Sequence, residues 1–80
     1  MQHLRIKIYT TPNCPYCRKA KEYFRKLGLK FKEIDVSKNP AEAEKLFKKT
    51  KQMGVPVIEI GNLIIIGFDR AKIDRAIGLD

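Results

Sequence analysis

Apolar residues recur in this sequence at two alternating periods, and the alternation restricts the fold more than any other feature. Leu4, Ile6 and Ile8 stand two apart in the run Leu4–Tyr9, which is one face of a strand (β1). From Pro15 to Leu27, Cys17, Ala20, Phe24 and Leu27 stand three or four apart. Arg18, Lys19, Lys21, Glu22, Arg25 and Lys26 take the other side, so this run is an amphipathic helix (α1), with Gly28 as its stop. Phe31, Ile34 and Val36 mark a second extended run (β2, Phe31–Val36). A helix between two strands makes a right-handed parallel βαβ unit the expected connection.

A second helix (α2) is announced by Asn39 as N-cap, Pro40 at its first position and Glu42 three residues after the cap, the arrangement of a capping box. Ala43, Leu46, Phe47 and Thr50 form its expected inward stripe. Val55–Ile60 (β3) and Leu63–Ile66 (β4) are rich in β-branched residues and are joined by Gly61-Asn62, a two-residue turn signal for an antiparallel hairpin. Asp69 then caps a short last helix (α3), in which Ile73, Ala76 and Ile77 face inward and Gly78 is the end. The expected class is α/β, with the order β-α-β-α-β-β-α.

The chain has 80 residues, 44% hydrophobic and 32% charged, enough for one compact core, and a single domain over residues 1–80 is expected. Met1-Gln2-His3-Leu4-Arg5 lacks the apolar run of a secretory signal, and no segment nears the roughly 20 apolar residues of a membrane span. The expected compartment is the reducing cytoplasm, with no membrane partner. The net charge of +8 raises a basic binding module as an alternative class. Its lysines and arginines fall mostly on the outer faces of the helices, and no interleaved aromatic platform accompanies them, so nucleic acid is not an expected partner. Phe31, Phe47 and Phe68 read as core or site-wall residues.

The chemistry lies in Cys14-Pro15-Tyr16-Cys17, which sets the two cysteines one helical turn apart where a strand run gives way to a helix run. A helix N-terminus offers free N–H groups and the positive end of the dipole, both of which stabilise a thiolate, the reactive form of the group. Cys14, at the helix mouth, is the expected nucleophile. Cys17, one turn on and on the same face, is the resolving thiol that attacks a mixed disulfide at Cys14. Pro15 has no N–H to lose and a φ suited to a helix start, and Tyr16 places an aromatic face beside the nucleophile. A zinc site would need a second pair of ligands, and His3 alone does not supply it, so no metal is expected. A pair of buried structural cysteines is disfavoured by the polar lead-in Thr10-Thr11-Pro12-Asn13, which suggests an exposed turn.

Three segments, Tyr9-Thr10-Thr11-Pro12-Asn13-Cys14-Pro15-Tyr16-Cys17, Gly54-Val55-Pro56 and Gly67-Phe68-Asp69, resemble the signature regions of a dithiol glutaredoxin, over essentially the whole chain. The resemblance implies a thioredoxin fold: a four-stranded mixed sheet of order β2-β1-β3-β4 flanked by three helices. It also implies a redox-active Cys14–Cys17 disulfide with no prosthetic group, and a cis Val55-Pro56 bond against the cysteines. Substrate would bind at Pro15, Tyr16, Val55, Pro56, Gly67, Phe68 and Asp69, and glutathione at Gln52, Tyr16, Val55 and Asp69. Glutaredoxins often carry a lysine, a basic residue and an acidic residue where this chain has Thr11, Met53 and Arg70. Gly54 and Gly67-Phe68-Asp69 are similar to glutaredoxin-like redoxins, which are reduced by thioredoxin reductase and donate to ribonucleotide reductase. The expected partners are therefore protein disulfides, with thioredoxin reductase or glutathione as electron source, and the expected state is a monomer. Some glutaredoxins carry a bridging iron–sulfur cluster, an alternative that Pro15 beside Cys14 and a resolving Cys17 disfavour.

Overall fold

The structure is a computed structural model that describes residues 5–51, 54 and 56–78. Among these residues the expected elements form in the expected order: β1 (Ile6–Thr10), α1 (Pro15–Lys26), β2 (Lys32–Asp35), α2 (Pro40–Thr50), β3 (Val57–Ile60), β4 (Leu63–Ile66) and α3 (Arg70–Ile77). The start expected for β1 at Leu4 lies outside the described residues. Strand β2 is shorter than expected, and β3 begins at Val57. Pro56 has no N–H to add to the ladder, and its carbonyl instead accepts from Gly67 N at 2.8 Å.

The sheet has the order β2-β1-β3-β4, with β1 parallel to β2 and antiparallel to β3, and β3 antiparallel to β4. Register decides which residues share a face. Ile6 pairs with Ile60, Ile8 with Ile58 and Ile58 with Ile65, so these five form one apolar face. That face packs against Ala20 and Phe24 of α1 and Ile73 of α3. Tyr9 pairs with Val57 and Ile34 on the opposite face, where Leu46 of α2 covers them. Burying a side chain such as Phe24 or Ile8 contributes roughly 1.5–3 kcal/mol relative to leaving it exposed. The face under α2 also holds a buried carboxylate. Glu59 sits beside Tyr9 and accepts from Lys49 Nζ of α2 at 3.0 Å.

Two expectations for α2 are corrected. Asn39 makes no side-chain capping bond, so the capping box does not form; Glu42 turns instead towards Lys45, 3.6 Å away. Phe47 is 44% exposed and does not belong to the inward stripe. Neighbouring helix positions point about 100° apart, so once Leu46 is seated on Tyr9 and Val57 its neighbour is turned to solvent. Ala43 and Thr50 are half-buried, and the helix stops at Lys51, whose φ of 61° fills the left-handed position glycine usually takes. In α3 the expectation holds: Asp69 Oδ1 accepts from Lys72 N at 3.2 Å, and Gly78 ends the helix. No helix among the described residues is long and apolar enough to cross a membrane.

Candidate active site

Strand β1 delivers the chain to the N-terminus of α1, and Cys14 occupies the cap position there. Its backbone is extended and Pro15 opens the helix behind it. The Cys14 Sγ accepts the Cys17 N–H at 3.1 Å, so the sulfur itself satisfies one of the free donors of the first turn. Of the lead-in expected to be exposed, Pro12 and Asn13 are, but Thr10 is buried at the end of β1, and both cysteines are buried: Cys14 keeps 7% of its surface and Cys17 only 1%. The capping bond folds the Cys14 side chain back over the helix end, while Cys17 lies on the inner face of α1. Both are free thiols.

Their surroundings differ in kind. Burial first, and then the hydrogen bond with Cys14, push the Cys17 thiol from an ordinary 9.0 up to about 12, with the Thr11 backbone and Lys21 acting the other way. Lys21, one turn beyond Cys17, is ion-paired at 2.8 Å with Glu33, which also accepts the hydroxyl of buried Thr10 at 3.0 Å. The Lys21 bond is the main cause that holds the Glu33 carboxyl below the usual carboxylate range.

A groove of about 530 Å³ opens beside the cysteines, lined by Tyr16, Pro56, Ile66, Gly67, Phe68, Asp69 and Arg70. It brings together five of the residues expected to bind substrate. Cys14, Pro15 and Cys17 stand at the helix start rather than in its lining, and Tyr16, 59% exposed with Lys19 Nζ 5.2 Å from its ring centroid, belongs to both. Gln52 and Val55, and with them the Val55-Pro56 bond, lie outside the described residues.

The far wall of the groove is held by contacts across the fold. Gly67 has φ +83°, a turn that L side chains rarely adopt, and it redirects the chain from β4 into Phe68. Phe68 packs edge-on against Tyr23 of α1, with ring centroids 5.9 Å apart. Arg70 stacks over the same ring at 4.5 Å, and the Tyr23 hydroxyl donates to the Asp74 carboxylate of α3. Sequence reasoning passed over Tyr23, Asp74 and the part Ile66 plays in the groove. Tyr23 sits on the flank of the α1 stripe and pairs with a residue far along the chain, so no local spacing marks it. Among the described residues no group of three or more His, Cys, Asp or Glu side chains is placed to hold a metal.

The sequence model of the glutaredoxin family matches residues 6–65. A glutaredoxin-like 8.6 kDa protein of the rubredoxin operon of Clostridium pasteurianum is 46% identical over 72 residues, 90% of this chain and 96% of that one. Glutaredoxin 3 of Escherichia coli is 36% identical over 76 residues, covering 94% and 92%. Among solved structures, the glutaredoxin-like protein NrdH-redoxin from Escherichia coli superposes with a TM-score of 0.82 at 34% identity, covering 89% of this chain and 92% of that one. The sheet order and its three flanking helices are the thioredoxin fold. These likenesses run through the strand and helix that carry Cys14 and Cys17, and the chain belongs to the glutaredoxin family, a family of thiol–disulfide oxidoreductases.

Proposed function

We propose that this chain reduces protein disulfides by dithiol exchange through Cys14 and Cys17. The observation that carries the reading is the unlike setting of the two sulfurs. Cys14 caps the helix and accepts an N–H, whereas Cys17 is sealed within α1 and held as a thiol. The Cys14 thiolate attacks one sulfur of a substrate disulfide; that S–S bond breaks, one substrate thiolate leaves, and a mixed disulfide forms. Cys17 then attacks Cys14 Sγ, and its proton passes to the departing substrate sulfur. The mixed disulfide breaks, the Cys14–Cys17 bond forms, and the substrate departs as a dithiol with two electrons gained. Tyr16, Pro56, Gly67, Phe68 and Asp69 align the substrate in the groove, with Pro15 and Val55 as further contacts implied by the family resemblance, and no prosthetic group takes part. Pro15 beside Cys14 favours disulfide exchange over a bridging cluster.

For the electron source we favour thioredoxin reductase. This is supported by the likeness to a redoxin described as having a thioredoxin-like activity profile, and by Thr11, Met53 and Arg70 at positions where glutaredoxins often carry other charges. The acceptor in that reading is ribonucleotide reductase. The second reading, a glutathione-dependent glutaredoxin, is favoured by Asp69 at the start of α3 and by the likeness to glutaredoxin 3. In either case the chain is read as one glutaredoxin-like domain over residues 1–80, a cytoplasmic monomer without nucleic-acid or membrane partners. The test is reduction of the oxidised protein by NADPH with thioredoxin reductase and, in parallel, by glutathione with its reductase. Flow from the first supply alone supports the favoured reading, and flow from glutathione alone replaces it with the second. Cys14→Ser should abolish turnover, and Cys17→Ser should spare activity on glutathione mixed disulfides. Protein-disulfide reduction by the Cys14 variant would overturn the assigned roles.

A further inference from the structure

The two edges of the sheet are built differently. β2 reads Lys32-Glu33-Ile34-Asp35, three charges in four residues. β4 reads Leu63-Ile64-Ile65-Ile66, with no charge and no proline, and Leu63, Ile64 and Ile66 are 50%, 40% and 51% exposed. An edge strand carries a row of N–H and C=O groups that no neighbour satisfies, and sheets normally guard such a row with charge, proline or a bulge. β2 is guarded in that way and β4 is not.

Beside the open edge, a groove of about 380 Å³ lies between β4 and α3, lined by Leu63, Ile64, Ile65, Lys72, Arg75 and Ala76. Its floor is apolar and its rim cationic. Lys72 and Arg75 are exposed, neither is ion-paired with a described residue, and no described carboxylate lines the groove. At the other end of β4, Ile66 lines the groove beside Tyr16, so the same strand borders both grooves. A second copy would bring its own Lys72 and Arg75, and a net charge of +8, to the same surface. Charge therefore selects against self-pairing and for an acidic partner.

We propose that the β4 edge and the β4–α3 groove bind an extended acidic segment of a partner protein. The segment adds to the sheet beyond β4, with its backbone paired to the strand and its carboxylates set against Lys72 and Arg75. Only the identification of that partner with the protein whose disulfide is reduced rests on the dithiol-exchange reading; the binding does not.

The experiment titrates the 15N-labelled, reduced protein with a peptide of alternating valine and glutamate, and separately with its valine–lysine counterpart. The glutamate peptide should shift the amide resonances of Leu63–Ile66, Lys72 and Arg75, with affinity falling as salt rises. Lys72→Glu combined with Arg75→Glu should weaken that binding by about tenfold while leaving turnover of a small disulfide such as cystine unchanged. Cys14→Ser should bind the peptide as the parent does, so a failure of the redox assignment would leave this surface standing. The proposal is overturned by an absence of shifts along β4, by an equal response to the lysine peptide, or by sedimentation showing a dimer that Leu63→Lys dissolves.

Discussion

Replacing Cys17 with alanine should change how the stability of the reduced protein depends on pH, by an amount that follows from the burial of one thiol. Cys17 is pushed from 9.0 up to about 12, first by burial and then by its bond with Cys14. Below pH 9 the thiol is protonated whether the chain is folded or not, and the group contributes no pH dependence. Above pH 9 it ionises in the unfolded chain but stays protonated in the folded one. The folded state therefore loses stability as pH rises, at about 1.4 kcal/mol per unit until the folded thiol also ionises. Between pH 9 and 11 that amounts to about 2–3 kcal/mol in the parent protein and nothing in Cys17→Ala. Urea unfolding in a phosphine reductant at pH 8, 9, 10 and 11 measures it, as the difference between the parent protein and Cys17→Ala. The alanine variant should start less stable, having lost buried volume, and the gap should close or reverse as pH rises. A gap that stays constant to within about 0.5 kcal/mol would refute the claim that burial keeps Cys17 protonated.

The two helix starts described above should respond unequally to alanine. Asp69→Ala removes a cap bond and should cost about 1 kcal/mol in thermal or urea unfolding, whereas Asn39→Ala, which removes none, should cost less than about 0.5 kcal/mol. Lys49→Met should destabilise the protein by about 1–3 kcal/mol, because it strips the cation from a carboxylate that is 9% exposed. Lys45→Met, on the outer face of the same helix, should stay within about 0.5 kcal/mol; equal losses in the two variants would show that the Glu59 pair has no special weight.

The features legible in the sequence are those set by neighbours along the chain. Period-two spacing marked β1 and helical spacing marked the helices, β-branched runs joined by Gly61-Asn62 marked the hairpin, and Asp69 and Gly78 bracketed α3. The capping box at Asn39 failed although its residues are correct, because a cap depends on the angle at which the chain enters the helix, and α2 is placed by where Leu46 lands on Tyr9 and Val57. The same placement turned Phe47 outward. Glu59 was unreadable for a related reason: a carboxylate in a strand looks solvent-facing until the register sets it under Lys49. In the candidate site the cysteines and the Asp69 cap were evident from local pattern, and Gly67-Phe68-Asp69 as a whole from its resemblance to the family. The brace of Tyr23 with Asp74 and Arg70 joins α1 to α3, and only the closed fold brings those residues together.

Leu46 is the single buried side chain of α2, and no side chain caps that helix at its start. Proteins open in cooperative units whose local free energy follows the apolar surface each unit buries. On that scale α2 is the lid of this molecule and the β1–β3 core its base. Amides in the middle of β1 and β3 should therefore exchange with solvent only when the whole chain unfolds, and those of α2 through a smaller event. Opening of α2 would thereby leave the thiol chemistry at the start of α1 untouched, since α1 packs on the other face of the sheet.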